Sequence, residues 1–82
     1  MTFTLRQAPH TKAGYAFYDD NGNEWQALEL YNRDSKQIVM LPYTDEVNES
    51  PNISITRHNG YRTTDNGTYN HWIERYQIKA VA

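Results

Sequence analysis

Three of the four glycines in this chain follow an asparagine, at Asn21-Gly22, Asn59-Gly60 and Asn66-Gly67. The dipeptide supplies two consecutive residues that tolerate positive φ, as the two-residue type I′ turn requires. Each pair is therefore the strongest short-range signal for a β-hairpin. The flanks agree. YAFYD precedes the first pair and EWQAL follows it; ISITRH precedes the second, YRTTD lies between the second and third, and TYNHWIERYQIKAVA follows the third. Aromatic and β-branched side chains, which suit a pleated surface, dominate these runs. The pattern predicts strands near residues 2–8, 15–19, 24–31, 37–43, 53–58, 61–65 and 68–81, with TDEVNESPN (44–52) as the longest loop. The expected fold is all-β, one domain over 1–82 whose antiparallel meander sheet forms a small sandwich or open barrel.

Two segments carry a second reading. NEWQALELYNRDSK also fits a capped helix, with Asn23 as cap, Gln26 three residues on, and Trp25, Leu28 and Tyr31 along one face. An α+β fold with a helix near 24–34 is thus the alternative. NHWIERYQIKAVA has a helical face through Trp72, Ile73, Tyr76 and Ala80, but it also alternates, with Trp72, Tyr76, Ile78 and Ala80 opposed to His71, Arg75, Gln77 and Lys79. There the strand is the expectation.

At 82 residues the chain supports one core and buries only about 60–65% of the surface its unfolded form exposes. Seven Tyr, two Trp and two Phe must supply much of that core. There is no cysteine, which excludes disulfides, thiolate catalysis and Cys-type zinc sites. MTFTLRQAPH lacks the basic-then-apolar pattern of a signal peptide, and no apolar run approaches the ~20 residues of a membrane helix. A cytoplasmic location with no membrane partner is the expectation. The net charge of −2 conceals a division: residues 1–50 carry four Lys/Arg against eight Asp/Glu, and residues 51–82 carry four against two.

The stretch RHNGYRTTDNGTYNHW (57–72) concentrates the candidate contact residues. If both Asn-Gly pairs close two-residue turns, His58 lies opposite Tyr61, Arg57 opposite Arg62, Tyr61 opposite Trp72 and Arg62 opposite His71. One face then carries His58, Tyr61 and Trp72 toward the core. The other carries Arg57, Arg62 and His71, continuing into Arg75 and Lys79, toward solvent. Two opposed arginines repel each other. Either they fan into water, the commoner situation for surface arginine, or an anion sits between them.

Enzymatic chemistry is the least favoured class. DDNGNE places Asp19, Asn21 and Asn23 at alternate positions like the start of a calcium loop, but Leu30 stands where the bidentate Glu belongs. HNG with a downstream His71 is a weak match to a His-Asn-His nuclease motif, because the second His enters an expected strand. His10, His58 and His71 have no close ligand spacing, and Ser35, Ser50 and Ser54 lack a nucleophile context. No metal or cofactor is expected.

The expected function is therefore non-enzymatic binding through macromolecular contact, with Arg57, Tyr61, Arg62, His71 and Arg75 as the partner-binding residues. Tyr, Trp and Arg are the types enriched at interface hot spots. A protein partner comes first. Small inhibitors of host defence or nucleic-acid enzymes, encoded by phages or mobile elements, have this general form. A nucleic-acid-binding β domain using the basic face is the alternative, opposed by the acidic pI near 5.8 and only three lysines. A carbohydrate-binding module using Trp25 and Trp72 is the third reading. A homodimer through an edge strand, the first strand or the free side of the last, is also compatible with the pattern, with QIVMLPY expected at the centre of the sheet.

Overall fold

The computed structural model describes residues 1–80. Its elements run β1 (Thr4–Gln7), β2 (Tyr15–Tyr18), β3 (Glu24–Asn32), β4 (Gln37–Pro42), α1 (Asp45–Asn48), β5 (Ser54–His58), β6 (Tyr61–Thr64), α2 (Asn66–Tyr76) and β7 (Lys79–Ala80). The protein is mostly β, as the turn pattern predicts, and the sheet does not close into a barrel. The pairings are mixed. Hairpins join β1 to β2, β2 to β3, β3 to β4 and β5 to β6, whereas β3 pairs β6 and β1 pairs β7 in parallel.

The three Asn-Gly pairs take three different conformations. Asn59 (φ 49°) and Gly60 (φ 87°) are both left-handed, and His58 pairs Tyr61 while Arg57 pairs Arg62. This is the two-residue hairpin read from the sequence. At the first pair only Gly22 has positive φ (81°), and the Gly22 N–H donates to the Asp19 carbonyl while Asp19 and Asn23 pair across the loop. The loop thus holds three residues and ends in a left-handed glycine, the type I turn with a bulge. Asp19 ties it down by accepting from the N–H groups of Asn21 and Asn23 and from the Trp25 indole.

The third pair forms no turn. Asp65 caps a helix, its carboxylate accepting from the Thr68 N–H at 2.7 Å, and Asn66-Gly67 become the first two helical residues. The strand expected over 68–81 is corrected accordingly: residues 66–76 form α2, only Lys79–Ala80 are extended, and Val81 lies outside the described residues. Tyr69, Trp72, Ile73 and Tyr76, at helical spacing, pack on the Leu28–Leu30–Leu41–Val47–Ile53 cluster. Packing all four on one stripe outweighs an alternation that would have turned Tyr69 and Ile73 to the face opposite Trp72 and Tyr76. The helix ends at Gln77, which takes a left-handed conformation (φ 49°) while the Ile78 N–H reaches back to the Ile73 carbonyl. The alternative helix near 24–34 is absent, because that segment is β3.

β3 organises the whole molecule. Along one edge it pairs β4 over residues 27–32; along the other it pairs β2 over residues 24–26 and β6 over residues 30–32. Adjacent Ala27 and Leu28 are both buried, so the strand is covered on both faces at that point. Leu28 and Leu30 face the α2 cluster, while Ala27 belongs with Phe3 and Phe17 in a second one. Tyr76 and Ile78 touch both clusters, so the end of α2 ties the two halves of the sheet together.

QIVMLPY is not central: β4 pairs only β3. Pro42 accounts for this, since a strand residue without an N–H is accommodated at an edge. β1 is not an edge either, lying between β2 and β7; among the described residues the free edges belong to β4, β5 and β7.

Candidate functional site

On the edge of β3 shared by β2 and β6, the two partners do not meet. The last β2 bridge is at Gln26 and the first β6 bridge at Leu30, so, among the described residues, 27–29 form no bridge on this edge. The gap opens into a depression of about 710 Å³. Its floor is β3, one wall is the β1–β2 loop with Lys12 and the start of β2 with Tyr15, and the other is the β5–β6 hairpin with Arg57, Gly60, Tyr61 and Arg62. The tight Asn59-Gly60 turn brings Arg57 and Arg62 opposite each other at this wall.

The two arginines are held differently. Arg62 is half-buried, and its guanidinium donates to both the main-chain carbonyl and the side-chain oxygen of Asn48 in α1. Its place is set by the parallel Leu30–Arg62 pairing, which puts the side chain on the same side of the sheet as Leu30, over the cluster that Val47 of α1 completes. Arg57 is exposed and, among the described residues, donates only to the Gly60 carbonyl, at 3.3 Å. Among the described residues neither arginine, nor Lys12, is in an ion pair, and the two pairs present are His10–Glu24 and Arg75–Glu46. Among the described residues Glu29 is the single carboxylate lining this depression, and Glu49 lines the adjoining one. A second depression, of about 810 Å³, adjoins the first across Tyr43, Asn48, Arg57 and Arg62 and continues past Ile53 to Ile55, which is 84% exposed on the edge strand β5.

Of the five residues expected to bind a partner, the structure brings Arg57, Tyr61 and Arg62 together and leaves His71 and Arg75 apart. The last two lie on α2 rather than on a strand next to β6, because Asp65 starts a helix where a turn was expected. Arg75 pairs with Glu46 and lies over the Trp72 ring at 5.5 Å; exposed His71 meets the edge of the same ring. The face assignment also reverses. His58 stacks on Tyr31 at 3.9 Å on the outer side of the hairpin, away from the core, while Arg62 is the side chain turned toward α1. Lys12, Tyr15, Glu29 and Asn48 join the site from distant segments, and no local signal in the sequence marks them.

Groups with shifted titration lie elsewhere and have structural causes. The Tyr18 hydroxyl and the His10 ring hydrogen-bond Glu24 and hold its carboxyl below the usual range, the tyrosine contributing more. The Trp25 indole does the same for Asp19, and the Thr68 N–H for Asp65. Burial, followed by the hydrogen bond to Glu46, raises Tyr76. Among the described residues no three His, Cys, Asp or Glu side chains converge to hold a metal ion, and no helix is long and apolar enough to cross a membrane. Trp72 is buried in the α2 cluster, and Trp25 is partly buried with its indole N–H engaged by Asp19.

Comparison with protein-family models, curated proteins and solved structures found no match for this chain.

Proposed function

We propose that this chain is a non-enzymatic binding protein that works by macromolecular contact, with the β5–β6 hairpin and the depression beside it as its contact surface. The supporting observation is uncompensated charge. Lys12, Arg57 and Arg62 line one depression, and none of them is in an ion pair among the described residues. A chain of net charge −2 has carboxylates to spare for neutralising three cations, yet among the described residues only Glu29 lines this depression, with Glu49 in the adjoining one beside both arginines. Concentrated positive potential in a concave, partly apolar setting steers and orients an anionic partner. Tyr15, Tyr43 and Tyr61 around the same depression supply rigid amphipathic contact area.

A protein partner is the first form of this proposal, and inhibition of a host defence or nucleic-acid enzyme by a phage- or mobile-element-encoded protein is its finer version. Nucleic acid is the second reading, supported by the same cations beside exposed rings. The overall acidity of the chain opposes it, since phosphate binding draws on a broad basic footprint. The carbohydrate reading loses support because both tryptophans are engaged in packing.

The test is affinity capture from lysate of the source cells, comparing wild type with Lys12→Glu/Arg57→Glu at low and moderate salt. Both substituted side chains are exposed, so the fold should survive. A partner captured by wild type and lost in the variant supports the proposal; equal capture by both overturns it. Nuclease-sensitive, salt-labile capture would move the assignment to nucleic acid.

A further inference from the structure

We infer that the gap between β2 and β6 on the edge of β3 receives an extended acidic segment of a protein partner. This rests on the binding role proposed above and names both the site and the chemistry of its occupant.

The first argument is the state of the sheet edge. The Tyr43 N–H donates to the Gln26 carbonyl, so the even-numbered residues of β3 direct their main-chain groups at β4. Ala27 and Glu29 therefore direct theirs at the opposite edge, where the Ala16–Gln26 bridge takes up the Ala27 N–H and the Leu30–Arg62 bridge the Glu29 carbonyl, leaving the Ala27 carbonyl and the Glu29 N–H without a strand partner among the described residues. One acceptor and one donor suit a single residue of a short extended peptide that crosses this edge, not a long added strand. Peptides satisfy main-chain donors and acceptors in this way. A nucleic-acid backbone, which carries acceptors and no repeating amide, does not.

The second argument is charge. Lys12 on one wall and Arg57 and Arg62 on the other face a lining whose single carboxylate among the described residues is Glu29, and Glu49 lies in the adjoining depression, so three cations meet two carboxylates. Arg57 stands directly opposite Arg62 on paired strands, and an anion between the two guanidinium groups would relieve their repulsion. Arg62 cannot swing away without giving up two hydrogen bonds to Asn48, so part of the binding geometry is already in place. A carboxylate set between the guanidinium groups can accept charge-assisted bonds from both. An extended segment with Asp or Glu at alternate positions meets the main-chain edge and the arginine wall together.

The test is selection from a displayed library of random dodecapeptides on the full chain. Synthetic versions of the selected peptides are then titrated into isotopically labelled protein and followed by amide NMR. Acidic peptides should be enriched and should shift the amides of Ala27, Glu29, Gly60 and Arg62. Lys12→Glu/Arg57→Glu should weaken binding roughly tenfold at low salt. Glu29→Gln, which removes the opposing carboxylate, should tighten it by a few-fold, a gain that a purely structural role for Glu29 does not produce. Circular dichroism of both variants establishes that they are folded.

Selection of basic or apolar peptides, shifts confined to another surface, or no enrichment over a library passed across the double variant would each overturn the inference. So would a mixed-sequence single-stranded oligonucleotide that shifts these amides where no peptide does. If lysate capture still depends on Lys12 and Arg57 while no acidic peptide is selected, the occupant named here is wrong and the binding role stands. If capture is also indifferent to those residues, both fall.

Discussion

Alanine substituted at Gly60 and at Gly67 should change stability in opposite directions, although both glycines follow asparagine. Gly60 has φ 87°, and a Cβ added there meets nothing within 4 Å, so the whole effect is backbone strain. An L-residue held in the left-handed region costs about 1–2 kcal/mol, which for a domain this small corresponds to a fall in Tm of several degrees. Gly67 lies in the first turn of α2 without positive φ, and its added Cβ comes to 3.5 Å from the Asp65 carboxylate, ordinary van der Waals contact. With no strain to offset it, the loss of unfolded-state freedom should stabilise the protein by about 0.5 kcal/mol, or roughly 2–4 °C in Tm. Urea titration monitored by Trp25 and Trp72 fluorescence measures both, provided the m-value is unchanged. A Gly67→Ala variant destabilised by about 1 kcal/mol or more would refute the helix, because that is the result a type I′ turn at Asn66-Gly67 requires.

Asp65→Ala should cost about 1 kcal/mol by leaving the Thr68 N–H without its cap, while Asp65→Asn, also a good cap, should retain most of the stability. The folded carboxyl of Asp65 is held low, chiefly by the Thr68 hydrogen bond. Its stabilisation is therefore fully present above the unfolded carboxylate value near pH 3.9 and is lost as pH falls through the lower folded value. Asp65→Asn should flatten that part of the acid unfolding curve, and an unaltered curve would refute the assignment. Gln77→Gly should stabilise the chain by about 1 kcal/mol in the same urea assay, because glycine occupies the left-handed helix end without strain. A loss of stability there would mean that the Gln77 contact with Thr2 outweighs the strain.

Local geometry was legible in the order of the residues. Asn59-Gly60 set a two-residue turn and with it the Arg57–Arg62 opposition, because turn type and register are decided within four residues of chain. The extents of β2, β3 and β4 were legible to within a residue or so for the same reason: side-chain alternation and loop chemistry are short-range. Tertiary structure decided what had two local solutions. Residues 66–76 satisfy both an alternating and a helical pattern, and the choice fell to the apolar surface left open by Leu28, Leu30 and Leu41, which a stripe through Tyr69, Trp72, Ile73 and Tyr76 covers. Asp65 followed by Thr68 was the one local sign of the cap. The parallel pairings of β6 with β3 and of β7 with β1 join segments far apart in the chain, and no turn announces them. The binding gap is a product of those pairings. It exists because β2 leaves β3 at Gln26 and β6 does not join it until Leu30, so Lys12, Glu29 and Arg62 become neighbours only after the sheet has assembled.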